Sequence, residues 1–357
     1  MLKPKLKEYF DVFPMTTDRY QVRGSESLSV MTGKTTEVLG QLLPLLNGRH
    51  TVDEIIGKLE SVAPAEVIEG ALQKLEQSMI VEDAAVKMEE DQFSPEEVLR
   101  FQSQMRFFAA VTEWGGEFVY QKALRDGGVS IIGSGELAAR IAAECAGTGI
   151  GRVVGVNLNG AAPNVSGNGY ASGAYHALGL EDLESIEKYV ASDAPPVLVL
   201  AVDRPEPELV DRVNQISQDL NIPLFFAQLN GTEGIVGPFV MPGKTACLRC
   251  YHLRTIRNLD FYVEYCSWEK WIGDEGGQIR SPAGSIGPFT AIVASIAALE
   301  IVKRLTGFHE PDLFGKFMTI NALTMEFITH PLLRVPRCPS CGKAQRNPVC
   351  TPWVDKR

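Results

Sequence analysis

The pairs Cys247-Leu-Arg-Cys250 and Cys338-Pro-Ser-Cys341 each present two sulfurs from one tight turn, and a fold that uses both must bring two distant segments together. Four thiolates close a tetrahedral site around zinc and leave no open position, so a metal held this way is structural. Upstream, Gly133-Ser-Gly-Glu-Leu-Ala138 joins the apolar run Val129-Ser-Ile-Ile132 to a helical segment that opens near Glu136. A GxGxxA pattern carries meaning in that strand–turn–helix setting, because glycines let the backbone approach a ligand at a helix start. Together the two features predict a nucleotide-type α/β domain tied off by zinc.

The chain has 357 residues, room for about two domains of ordinary size. Its formal net charge of -10 argues against non-specific binding to nucleic acid or an anionic membrane, both of which need basic surface. Met1-Leu-Lys-Pro-Lys-Leu-Lys-Glu8 runs straight into polar sequence and lacks the pattern of a secretory signal. The longest apolar stretch, around Ile292 to Val302, is too short and interrupted to span a bilayer. Seven cysteines, four of them in CxxC pairs, predict a cytoplasmic metal protein rather than a disulfide scaffold.

Three short extended segments open the chain: Asp11 to Met15, Arg19 to Arg23 and Ser27 to Met31. A helix is expected from about Lys34 to Leu46, and a second opens on a capping box of Thr51 with Glu54. A third begins at Pro64 and carries the apolar stripe Val67, Ile68, Ala71, Leu72 and Leu75, with Ile80-Val81 as a closing strand. This order describes a winged-helix-like unit. Glu66, Glu69 and Glu76 against the single Lys74 on the third helix would repel phosphates, which disfavours DNA. The remaining use is capture of a peptide by strand addition. Leu28, Ser29, Val30 and Met31 would supply backbone hydrogen bonds, and the exposed part of the stripe would receive apolar side chains. The expected organisation is a peptide-recognition domain over 1–90, a helical connector over 91–125 entered at Ser94-Pro95, and an α/β domain over 126–357.

In that last domain Val129 to Ile132 is the first strand of a doubly wound sheet. Gly149-Ile-Gly-Arg-Val-Val-Gly-Val-Asn157 leads into the second. Pro196-Val-Leu-Val-Leu-Ala-Val-Asp203 reads as a buried parallel strand with an acid at its carboxyl end, where ligands sit in such folds. Ser285-Ile-Gly-Pro288 introduces an alanine-rich helix that Gly307 ends.

Taken in order, Arg100-Phe-Gln-Ser-Gln-Met-Arg106, the glycine turn, Gly149-Ile-Gly-Arg152, Gly237-Pro-Phe-Val-Met-Pro-Gly-Lys-Thr-Ala-Cys-Leu-Arg-Cys250, Ser285-Ile-Gly-Pro288 and Cys338 to Cys341 resemble the ThiF-like, ubiquitin-activating-type adenylating superfamily. With the winged-helix unit in front, nearly the whole chain is similar to the leader-peptide-binding partners of YcaO cyclodehydratases in azoline-forming, thiazole/oxazole-modified microcin pathways. The resemblance implies a metal site of Cys247, Cys250, Cys338 and Cys341, a homodimer, and binding of a precursor leader peptide for a separate YcaO protein. That partner would use ATP to activate backbone amides. Because the sequence stops soon after Cys341, a fused YcaO domain is not expected.

Active members of that superfamily bind ATP-Mg through a GxGGxG turn, paired aspartates after the second strand, and basic residues beyond. Here Gly133 and Gly135 remain, but Glu136 stands at a glycine position, where its carboxylate opposes phosphate at a helix start. Asn157 and Asn159 replace the aspartates, and no Lys or Arg occurs from Val153 to Glu187. A triphosphate there would lose hydration without charge compensation. Asp203 stands where the family places its metal-binding acid; a turn or cap ligand is the competing role. The expectation is a degenerate nucleotide site with no bound ATP. The alternative is an ATP-dependent peptide-adenylating enzyme similar to the microcin C-type maturation protein. Cys266 reads as a half-buried core thiol, Cys145 as helix packing, Cys350 as a competing metal ligand, and His252 as a neighbour of the first cysteine pair.

Overall fold

The computed structural model describes residues 2–7, 10–16, 19–23, 28–32, 36–78, 80–84, 93–111, 116–133, 135–158, 175–180, 182–193, 195–273 and 284–342. The chain divides into two compact units, Met1–Lys122 and Ala123–Arg357.

The first unit opens with strand β1 (Pro4–Leu6), followed by β2 (Asp11–Thr16), β3 (Arg19–Arg23) and β4 (Leu28–Thr32). Helices α1 (Thr36–Leu42), α2 (Val52–Leu59) and α3 (Ala65–Gln77) come next, then β5 (Val81–Asp83), α4 (Pro95–Val111) and α5 (Gly116–Arg125), the last crossing into the second unit. β2, β3 and β4 form an antiparallel sheet, while β1 pairs with β5. The helical run expected to Leu46 changes to a 3-10 turn at Leu43–Leu45, because Pro44 has no N–H for an α-helical bond. The capping box of α2 is present: Glu54 N–H donates to Thr51 Oγ1 at 3.2 Å, and Thr51 N–H donates to Glu54 Oε2 at 3.0 Å. A second box opens α4, between Ser94 and Glu97.

Burial corrects one expectation about α3. Ile68, Ala71, Leu72 and Leu75 are all buried against Val38, Leu39, Leu42 and Ile55 in the unit's own core. A unit this small has little other apolar surface from which to build a core, so the stripe faces inward and cannot receive a ligand. Val67 and Met31 lie partly buried at the margin of that core, and Val30 is exposed.

The second unit adds β6 (Gly128–Ile132), α6 (Glu136–Gly147), β7 (Arg152–Leu158), β8 (Tyr175–Leu180), α7 (Leu183–Asp193), β9 (Leu198–Val202), α8 (Pro207–Leu220), β10 (Leu224–Asn230) and β11 (Glu233–Val240). It ends with α9 (Leu248–Arg257), α10 (Tyr262–Gly273), α11 (Gly287–Thr306), β12 (Lys316–Asn321) and β13 (Glu326–Pro331). The sheet order is β13-β12-β11-β10-β9-β6-β7-β8. β8, β7, β6, β9 and β10 run parallel, and β11, β12 and β13 continue antiparallel. Every residue of β6 and β9 is buried, as expected for parallel strands covered on both faces. The chain winds outward from β6 to β7 and β8, then returns to lay β9 on the other side of β6. The gap between β6 and β9 is therefore the topological switch point, the crevice where ligands bind in such sheets.

No helix among the described residues is long and apolar enough to cross a membrane.

Candidate functional site

The glycine turn sits at that switch point, and close approach explains both glycines. Gly133 has φ +152, and a Cβ there would stand 2.0 Å from the Ala201 carbonyl oxygen. Gly135 has an extended backbone (φ -94) but faces Asp203, whose Oδ2 would lie 2.1 Å from an added Cβ. The second glycine thus makes room for a carboxylate belonging to this chain.

Asp203, just beyond β9, points at the start of α6. Leu137 N–H lies 3.2 and 3.3 Å from its two carboxylate oxygens, and the backbone N–H of Glu136 also donates to it. These are the unpaired N–H groups that a helix N-terminus offers to an anion. Burial pushes the Asp203 carboxyl above its ordinary value and the nearby Glu136 and Glu206 carboxylates add to the rise, while the two backbone donors oppose it.

Glu136 is held outward by Arg140, with Nε and Nη2 of the arginine 2.8 and 2.7 Å from Glu136 Oε1. The pair lies against the start of α11: a Cβ on Gly287 would be 3.1 Å from Arg140 Nη2. Cation and anion near the cleft therefore neutralise one another. Asn157, at the end of β7, is buried, and its Oδ1 has no hydrogen-bond partner among the described residues. Asn159 lies outside the described residues.

The four cysteines of the two CxxC pairs converge. Their sulfurs all lie within 4.8 Å of one another, with 3.6 Å from Cys247 to Cys338 and 3.4 Å from Cys250 to Cys341. A tetrahedron of sulfurs about 2.3 Å from a zinc ion has edges of about 3.8 Å, so the cluster fits a metal of that kind. The first pair is presented by the start of α9, where Asn214 Oδ1 on α8 accepts the Leu248 N–H at 2.9 Å. Hydrogen bonds from the Cys247 thiol and the Val335 N–H bring the Cys250 thiol down to about 4. Burial and the Cys250 sulfur push Cys341 up to about 11. Sulfurs packed this closely carry several negative charges only around a cation, the electrostatic condition for metal binding.

The other expectations divide. Cys266 is half-buried on α10, and Cys145 is buried on α6 with its thiol pushed up to about 12 by desolvation. His252 pairs with Glu269 at 3.3 Å rather than with the cysteines. Cys350 lies outside the described residues. In the first unit, β4 is an edge strand bonded only to β3 among the described residues, in the register Val30 opposite Gln21 and Met31 opposite Tyr20.

Asp203 takes the cap role, which the sequence left at least as open as that of the family's metal-binding acid. The available signal was the pairing of an acid at one strand end with a glycine at the neighbouring helix start.

A model of the ThiF family matches residues 158–342, and one of a winged helix-turn-helix domain matches residues 19–81. The protein HesA of Leptolyngbya boryana is 28% identical over 132 residues, which are 37% of this chain and 40% of that protein. The molybdopterin-synthase adenylyltransferase of Escherichia coli is 24% identical over 276 residues, covering 71% of this chain and 99% of that one. The chain spans about half the length of the HesA proteins it matches. Among solved structures, the heterocyclase TruD superposes with a TM-score of 0.65 at 19% identity, over 96% of this chain and 43% of TruD. E. coli MccB with ATP superposes with a TM-score of 0.66 at 16% identity, over 96% and 100%.

Proposed function

On the premise that the chain belongs to the ThiF family, whose model covers just over half of it, we propose that it is a non-adenylating scaffold. It binds the leader of a ribosomally made precursor peptide and presents the core segment to a separate cyclodehydratase of the YcaO kind. The observation that carries this reading is the Asp203 carboxylate seated on the N–H groups that open α6. A phosphate needs the same donors, and a fixed carboxylate both fills them and repels it. The Glu136–Arg140 pair neutralises a cation beside the cleft, and buried Asn157 brings a neutral amide.

The likeness of fold to the heterocyclase TruD and to MccB supports a place in peptide modification. The winged-helix unit is the peptide clamp, its edge strand β4 adding the leader as a further strand. Val30, Met31 and Val67 replace the buried α3 stripe as the apolar contacts. Tethering the leader raises the local concentration of the core segment at the partner's active site. Zinc is the metal of the four-cysteine cluster, which acts in folding and takes no part in the chemistry.

The test is reconstitution. Precursor, cyclodehydratase and ATP should lose one water per ring formed, by mass spectrometry, only when this protein is added. Val30→Asp should weaken leader binding by about tenfold without altering the fold, since Val30 is exposed and one lost apolar contact beside a new charge is worth about 1.4 kcal/mol or more. Ring formation at full rate without this protein contradicts the scaffold role.

A further inference from the structure

We propose that the hollow at the C-terminal end of α9 is a docking pocket for an acidic-apolar peptide segment of a partner protein, gripped by Arg254 and Arg257. It encloses about 370 Å³ and is lined by Leu253, Arg254, Arg257, Asn258, Val335 and Pro336. One wall is apolar (Leu253, Val335, Pro336) and the other cationic, the mixture that recognises a carboxylate beside an aliphatic side chain.

The arginines are oriented but not neutralised among the described residues. Arg254 Nε donates to the Leu333 carbonyl at 2.6 Å and Nη2 donates to that of Arg334 at 3.2 Å, which fixes the guanidinium plane. Arg257 lies over the Tyr262 ring, 5.2 Å from its centroid. Neither has a carboxylate partner among the described residues. A guanidinium stacked on a ring keeps its edge N–H groups for a bidentate carboxylate. Two basic residues at a helix C-terminus also offset the helix dipole, which accounts for their sign but not for the hollow or its apolar wall. In a chain of net charge -10, two neighbouring arginines with no carboxylate partner among the described residues mark the place where an acidic segment is drawn rather than repelled.

The pocket is also held in shape before any ligand arrives. Val335 N–H donates to Cys250 Sγ at 3.3 Å, and Cys338 N–H donates to the Val335 carbonyl at 3.0 Å, so one wall is pinned to the cysteine cluster. A preformed wall lowers the ordering cost of binding. None of this depends on whether the cleft at Asp203 binds nucleotide.

The experiment titrates the full-length protein with a fluorescein-labelled Gly-Leu-Glu-Leu-Asp-Leu-Gly amide and with its Gln/Asn counterpart, read by fluorescence anisotropy. The acidic probe should bind at least about tenfold more tightly, the discrimination expected when a charge-assisted pair is lost. Arg257→Gln should remove that preference, and Arg257→Lys should restore part of it, since Lys keeps the charge but not the fork. Equal affinity for the two probes, no binding of the acidic probe, or an unchanged preference in a folded Arg257→Gln variant would each overturn the proposal.

Discussion

Substituting Gly135 by Ala should destabilise the second unit only while Asp203 is present. Gly135 has φ -94 and ψ -177, an extended conformation that alanine adopts freely. On backbone grounds alone Gly135→Ala should therefore stabilise by about 0.4–1 kcal/mol, by restricting the unfolded chain. The new methyl, however, would stand 2.1 Å from Asp203 Oδ2 and 2.3 Å from Cγ. The carboxylate must swing away and give up its contacts with the α6 N-terminus, a cap worth about 1 kcal/mol. The single variant should then lie between no change and a loss of about 0.6 kcal/mol. In an Asp203→Ala background there is no carboxylate to displace, so the same substitution should stabilise. The coupling between the two sites is expected at about 1–2 kcal/mol, above the scatter of independent sites. Urea unfolding of the four proteins, monitored by circular dichroism with a common slope, measures it. Additive effects within about 0.5 kcal/mol would show that Asp203 does not engage the helix start, and the case for a self-filled cleft would fall with it.

Further outcomes follow from the cysteines. The purified protein should carry one zinc per chain by metal analysis, and Cys338→Ala should abolish it and cost several kcal/mol of stability, as loss of a structural ligand does; full metal content in that variant would contradict the assignment. Cys145, raised to about 12 by burial, should resist alkylation in the native protein at pH 8.5, whereas half-buried Cys266 reacts. Because the folded thiol titrates above its unfolded value of about 8.5, the unfolded state loses that proton first. Stability should thus fall as pH rises from there toward 12, and a Cys145→Ala variant should lack that part of the fall.

Sequence patterns carried much of this architecture, for identifiable reasons. A capping box is local, so Thr51 and Glu54 could be paired by spacing alone. The CxxC pairs announce themselves because two sulfurs on one turn have few other uses, and the clustering of Cys247, Cys250, Cys338 and Cys341 follows once the two turns meet. Where the outcome depended on which way a face points, pattern was insufficient. The α3 stripe has one helical period whether it lines a groove or fills a core, and only packing against Leu39, Leu42 and Ile55 decides. Strand β1 went unread because Pro4-Lys5-Leu6 is only three residues long and opens on a proline, and it is held by pairing with distant Val81 to Asp83. The hairpin of β12 and β13 shows little alternation, since β13 is exposed along almost its whole length. Asp203 was visible as a strand-end acid, but its seat on α6 needed the crossing of β9 beside β6, a tertiary fact.

Peptide-dependent exchange of labelled pyrophosphate into ATP reports carboxylate adenylation directly, without any partner enzyme. With purified protein, magnesium, ATP and the precursor peptide, a scaffold whose phosphate donors are held by Asp203 should give exchange no faster than a protein-free control. Robust exchange that requires both this protein and the peptide would establish an active adenylating site and contradict the central claim.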